Sequence, residues 1–469
     1  MTNTTLSRIF LTVVSVLLFL WLASDSFAQA RPDPGWPNYG NDGSGTRYSL
    51  ATQIDRTNVT QLKAAWTYRT GALPHDEELD KKAAFEATPI LADGKLFLST
   101  PYDHVIALNP ETGAKLWEHY FGGFRKGDNK WANSVVALRA STGEFVWGFQ
   151  VVHHDIWDYD VASQPALFAW KDGTPAIAIT TKMGRVFVLN RLTGAPLLPV
   201  EERPVPKSDI AGEESWPTQP ASTISVVPER LSPEDAWGKD AQEKQWCADK
   251  IKAARSGEIF TPPSLQGTLV FPSNVGGVNW GSAAYDPQSH LLFMDTNRLP
   301  IFVRLIPRAE FEDARKNASD SDRLHGEFAR QTGAPYGMFR TPLLAPSGLP
   351  CNAPPWGTVA AVDLFSGEKV WDVPLGSWIP GMNTGAITLG GPMVSAGGLV
   401  FTAAAMDNYL RAFDSETGKE LWKFELPAGG QATPMTYTLK GRQFLVTAAG
   451  GHGKLGTKQG DYVIAFTLP

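Results

Sequence analysis

The densest run of reactive side chains is His153-His154-Asp155-Ile156-Trp157-Asp158-Tyr159-Asp160. Three carboxylates and two imidazoles within eight residues suit a divalent cation or a general base. Strict alternation would set Asp158 and Asp160 on one face and Trp157 and Tyr159 on the other. The plain alternative is a solvated loop. Lys182 follows at the head of an apolar run, Ile179 to Leu189, where it can meet an anionic ligand or serve as a surface charge. In Gly276-Gly277-Val278-Asn279-Trp280-Gly281 a glycine hinge joins an amide and an indole, a turn able to press on a planar ligand. Asp407 and Asn408 precede another apolar run, and His452 stands among glycines. Taken singly, each reads equally as structure.

Other chemistries lack their signatures. Gly451-His452-Gly453-Lys454-Leu455 has no Ser or Thr after the lysine, so it is no phosphate loop. There is no C-x-x-C-H and no G-x-S-x-G. The two cysteines are too few for a four-cysteine zinc site or a cluster. A net charge of −6 gives no basic footprint for nucleic acid.

The elements that must hold these residues show themselves as a repeat. An alternating apolar run is followed by Asp or Asn, two residues, Thr/Ser-Gly, three residues and Trp. Copies end at Trp117, Trp147, Trp371 and Trp422, the second with Arg139 in place of the Asp or Asn, and a partial copy runs through Asn190 and Gly194. Asp or Asn opens a hairpin turn by accepting backbone N–H bonds, and Gly supplies the left-handed residue. One such hairpin cannot bury its own face, so neighbours must stack. The fold class expected is all-β, a β-propeller. With 44 Gly and 35 Pro in 469 residues there is no room for long helices. Residues 199–262 break the pattern and read as a loop insertion on one face, with a short helix between Asp235 and Arg255.

Arg8, an apolar run from Ile9 to Ala23 and Ala28-Gln29-Ala30 read as a secretory signal peptide over residues 1–30, the alternative being an uncleaved anchor. Residues 31–469 form the propeller. In an exported chain Cys247 and Cys351 form a disulfide or remain two buried thiols.

Together the motifs resemble the pyrroloquinoline quinone (PQQ)-dependent dehydrogenases, in particular the glucose/quinate/shikimate branch. The resemblance rests on Trp36 to Ser49, Phe85-Glu86-Ala87-Thr88-Pro89, the His-His-Asp-x-Trp-Asp cluster, Gly-Gly-x-Asn-Trp-Gly, Ala428 to Met435 and Ala449 to Tyr462. It implies an eight-bladed propeller holding PQQ beside calcium or another divalent or trivalent ion. Asp158 matches the catalytic base, which takes the hydroxyl proton as hydride passes to the quinone. Lys182 matches the basic residue at the quinone oxygens, and Glu86, Asn279 and Trp280 match cofactor contacts. Asp407, Asn408 and His452 match pocket-lining positions, and Asp158 and Asp160 match metal ligands. The substrate implied is a sugar or polyol, and the electron acceptor ubiquinone or another carrier. The absence of the adjacent cysteines of the alcohol dehydrogenase branch favours the sugar/polyol branch, and a signal peptide in place of membrane spans implies a soluble periplasmic enzyme, with membrane association as the alternative.

Spacing departs from this pattern. Trp371 to Trp422 spans 51 residues, one blade, but Trp117 to Trp147 spans only 30. In relatives more than a hundred residues follow the first of these motifs, whereas here Trp117-Glu118-His119-Tyr120 runs directly into Phe121-Gly122-Gly123. The skipped part resembles blades supplying the metal-binding Glu and Asn and the Trp under PQQ. At about 50 residues per blade the chain builds about seven blades, and this gap implies fewer complete ones. A binding or scaffold propeller, and a truncated gene copy, are the alternatives.

Overall fold

The computed structural model describes residues 35–469 except 38, 43, 71–84, 86, 93–94, 100–103, 113–114, 121–132, 139–144, 212–215 and 331–334. The signal-peptide segment and Glu86 lie outside the described residues. The described residues belong to one compact unit, Gly35–Pro469. No helix among them is long and apolar enough to cross a membrane.

Five sheets contain a four-stranded meander in chain order, and to the one that begins at Met393 the short strand Tyr48–Ser49 adds as a fifth, parallel strand. They run through Ile90–Ala92 to Lys115–Tyr120, Ala166–Ala169 to Ile224–Ser225, Ala283–Tyr285 to Lys369–Pro374, and Met393–Ser395 to Glu420–Glu425. In the fifth, Met435–Leu439, Arg442–Ala449 and Tyr462–Thr467 are completed by an early strand, Lys63–Arg69, antiparallel to the last one. Where the Trp-to-Trp spacing is short, the described residues form only a hairpin, Ser134–Leu138 with Phe145–Gln150.

The turns form as their residues require. Asn109, Asn190, Asp363 and Asp414 each accept two backbone N–H groups from the following turn, at 2.7–3.2 Å. Gly194, Gly367 and Gly418 take φ of 75°, 79° and 71°. Alternation does not carry straight through the next strand, however. In all four complete copies a bulge sits just before the tryptophan, so that Trp117, Trp147, Trp371 and Trp422 fall opposite Ala107, Ala137, Ala361 and Ala412. The bulge re-phases the strand.

That phase lets a tryptophan of one sheet dock on the turn of the next. Trp66, Trp147 and Trp371 donate their indole N–H to the carbonyls of Pro110, Arg191 and Ser415, each 44 residues onward. A Cβ on Gly194 or Gly418 would come within 2.6–2.7 Å of the docked Trp147 or Trp371 ring. The turn glycine therefore serves the neighbouring sheet as well as its own hairpin.

Outside the meanders, the stretch expected as a loop insertion contains a hairpin, Val200–Pro204 with Thr218–Ser222, and a helix, Ala241–Ala253, whose N-cap Asp240 accepts the Glu243 amide at 2.9 Å. Cys247 and Cys351 are disulfide-bonded, with Cα atoms 5.3 Å apart. A further four-stranded sheet, Thr268–Val270, Ile301–Pro307, Tyr336–Pro342 and Glu327–Ala329, lies mostly between the second and third strands of the 283–374 meander. No repeat signal announces it, and it supplies a residue to the site.

Candidate active site

The segment around Asp158 is a turn built on Asp155, not the strand that alternation suggests. Asp155 Oδ1 accepts the Trp157 amide at 2.8 Å, and Oδ2 accepts the Tyr159 amide at 2.8 Å and the Asn133 side-chain amide at 3.0 Å. Burial pushes the Asp155 carboxyl above its ordinary range even against these bonds. The backbone passes through φ 64° at Asp158. Trp157 and Tyr159 turn inward: the indole donates to Thr261 O at 2.9 Å, the phenol to Pro272 O at 2.6 Å, and both rings meet Phe260 edge-on. Asp158 and Asp160 are left facing the other way. The division by face is the expected one; its cause is a carboxylate-centred turn.

Both acids meet Lys182. Its Nζ lies 3.4 Å from Asp158 Oδ1 and pairs with Asp160 Oδ1. Lys182 stands in the tight turn between strands Pro175–Thr180 and Arg185–Asn190, which the Thr181 hydroxyl braces by donating to Arg185 O at 2.9 Å. The lysine side chain is 11% exposed, whereas Asp158 is 49% exposed. A shielded cation thus holds an accessible carboxylate.

The Gly276–Gly281 loop lies across this lysine turn. Gly277 and Val278 donate their amides to Lys182 O and Thr181 O at 2.6 and 3.2 Å. A Cβ on Gly276 would come within 2.7 Å of Lys182 Cγ, and one on Gly277 within 2.6 Å of Gly184 Cα. Two glycines are what allow the approach. Asn279 spends its amide on its own loop, donating to Val275 O at 2.5 Å and accepting from Trp280 N at 2.7 Å. Asn279 and Trp280 are therefore placed beside Lys182 by backbone rather than by contact with it.

The remaining expected positions are elsewhere. Asp407 is held by Arg411, at 2.8 Å to Oδ1 and 2.5 Å to Oδ2, and by the Ser377 amide at 3.0 Å. It lines a cavity of about 830 Å³ together with Ser377, Tyr409 and Arg411, and neither Asp158 nor Lys182 is in that lining. Asn408 takes φ 60°, and its buried Oδ1 has no hydrogen-bond partner among the described residues. His452 caps its own turn, Nδ1 accepting the Leu455 amide at 3.3 Å. Burial, then Lys454, hold its imidazole below the usual range. Phe85, next to Glu86, donates its amide to Gly451 O at 3.1 Å, which joins those two motifs.

One partner of Asp158 is not legible in the sequence. Arg340, in strand Tyr336–Pro342, donates from Nη1 to Asp158 Oδ2 at 3.2 Å, while Nε and Nη2 donate to Glu327 Oε2 at 3.1 and 2.8 Å. Burial opposes ionisation of Glu327, but Arg340 outweighs it and holds that carboxyl below its ordinary value. No motif surrounds Arg340; only the pairing of its strand brings it near.

Lys182, with Asn279 and Trp280 beside it, fits one edge of a planar polyanionic quinone. The donors for an ion fit less well. Among the described residues no three His, Cys, Asp or Glu side chains converge, and both Asp158 and Asp160 are paired with Lys182.

The profile of the PQQ glucose/ethanol/alcohol dehydrogenase β-propeller domain matches residues 36–120 and 118–445. The two segments meet where the Trp117–Trp147 spacing is short. Quinoprotein glucose dehydrogenase A of Acinetobacter calcoaceticus is 38% identical over 431 residues, 88% of this chain and 53% of that protein. Quinate/shikimate dehydrogenase (quinone) of Acinetobacter baylyi is 39% identical over 364 residues, 73% of this chain and 44% of that one. This chain spans about half the length of these relatives. Among solved structures, a europium-containing methanol dehydrogenase superposes with a TM-score of 0.61 over 95% of this chain and 100% of that one, at 18% identity, a likeness of fold.

Proposed function

The chain belongs to the family of PQQ-dependent dehydrogenase β-propellers, and on that footing we propose that it oxidises a hydroxyl group of a sugar or polyol, with Asp158 as the base. The observation that carries this reading is the pairing of a half-exposed Asp158 carboxylate with the shielded Lys182 ammonium 3.4 Å away. PQQ, when bound, supplies the two-electron acceptor. Lys182 offers a fixed positive charge to its oxygens, in a site where burial strengthens that charge. Trp280 and Asn279 form the wall beside it. Asp158 accepts the proton of the substrate hydroxyl, and its exposure lets that proton pass to solvent. We place the mature protein in the periplasm, with a ubiquinone-like carrier receiving the electrons; the signal-like first thirty residues and the glucose and quinate dehydrogenase relatives support this.

The test is titration of the purified chain with PQQ, with and without calcium, followed by dye-linked oxidation of glucose and of quinate. The expected result is saturable PQQ binding and turnover with at least one substrate. Asp158→Asn should keep PQQ binding and lose turnover by roughly 100- to 10,000-fold. A chain that neither binds PQQ nor reduces dye rejects the reading; turnover retained in Asp158→Asn rejects the base.

A further inference from the structure

Each oxygen of Asp158 faces a cation, Lys182 on Oδ1 and Arg340 on Oδ2. A substrate hydroxyl that approaches the carboxylate therefore meets one of them, and the two are held differently. Lys182 is 11% exposed and tied to a second acid, Asp160. Arg340 is 23% exposed, and its Nε and Nη2 are both committed to Glu327 Oε2. Only Nη1 reaches Asp158, at 3.2 Å; the Lys182 contact is longer, 3.4 Å, but Lys182 is the more buried of the two and its ammonium is fixed by Asp160. The arginine is thus anchored by one edge of its fork and presents one exchangeable nitrogen beside the accessible base.

We infer that Arg340 is a specificity-determining residue, whose Nη1 leaves Asp158 Oδ2 when substrate enters and donates instead to a second substrate oxygen adjacent to the reacting hydroxyl. The inference rests on Asp158 being the base, and it narrows the substrate class to vicinal diols. A mono-alcohol displaces Nη1 from Asp158 and leaves it only water as an acceptor, whereas a vicinal diol replaces the lost bond with a positioned oxygen. The Glu327 anchor keeps the plane of the fork fixed, so the second oxygen must lie at one position. Charge around the pair is balanced: Asp158, Asp160 and Glu327 stand against Lys182, Arg340 and Lys454, the last acting on Glu327. A neutral diol therefore enters without leaving an excess charge of either sign.

The experiment compares 1,2-propanediol with 1-propanol on the PQQ-loaded chain. Turnover is read as kcat/KM, and binding separately by tryptophan fluorescence. The wild type should favour the diol in both readouts. Arg340→Gln should lower the diol value by roughly 10- to 100-fold and the mono-alcohol value much less, so that the preference collapses. Arg340→Lys, which keeps the charge but cannot be anchored by a fork, should fall between them. An unchanged diol-to-alcohol ratio in a folded Arg340→Gln overturns the inference, as does a wild type that binds neither compound or binds both equally. If the wild type binds the diol selectively but turns over neither compound, the dehydrogenase reading fails while the role of Arg340 in selection is still decided by the binding ratio.

Discussion

Asp155 accepts the Tyr159 amide at 2.8 Å, and that bond decides where Asp158 points. Together with the Trp157 amide on the other oxygen, it closes a turn in which Asp158 must adopt a left-handed backbone. Asp155→Ala frees two amides and lets the turn relax. It should cost about 1–3 kcal/mol of stability and remove most turnover while leaving PQQ binding in place. Thermal melts and kcat measured together check this; an Asp155→Ala protein with wild-type kcat would show that the turn does not aim the base.

A second prediction concerns Asp295, fully buried in strand Leu291–Asn297. Burial pushes its carboxyl up to about 7, against the pull of the Thr402 hydroxyl at 2.7 Å and the Arg47 charge. The folded value lies above the unfolded one, so the protonated form favours the fold. This contribution is full below about pH 4 and is lost as pH rises through 7. Measured by urea denaturation, the stability difference between wild type and Asp295→Asn should shift by roughly 4 kcal/mol between pH 4 and pH 8, the variant gaining relatively at the higher pH. A pH-independent difference would contradict the burial argument.

Gly418 is the third case. It holds φ 71° and lies against the ring of Trp371, which belongs to the preceding sheet. Gly418→Ala should destabilise by about 1–3 kcal/mol, through the contact with Trp371 and the backbone together. If the contact matters, Trp371→Leu in the same chain should make the two costs less than additive in a double-mutant cycle; strict additivity would reduce the effect to the hairpin's own backbone.

Legibility follows the range of the forces involved. The turn residues Asn190, Asp363 and Asp414 act on amides two and three positions away, so spacing alone reveals them. The bulges before Trp147 and Trp371 depend on what the partner strand presents, here Ala137 and Ala361, and alternation does not reveal them. The same contrast holds in the site. Asp158 and Lys182 stand in motifs, but Arg340 reaches Asp158 across 182 positions of chain. Asp407 shows the converse: its motif is legible, yet Arg411, four residues on, claims both its oxygens.

Pairing of Lys63–Arg69 with Tyr462–Thr467 has a consequence for biogenesis. The early strand stays unpaired until Tyr462–Thr467 has been made. This sheet cannot close as its first strand emerges from the ribosome or a translocation pore; it closes only once residues 462–467 have followed. During that interval the open edge invites proteases and self-association. A ribosome stalled before Tyr462 would leave four completed meanders and no clasp.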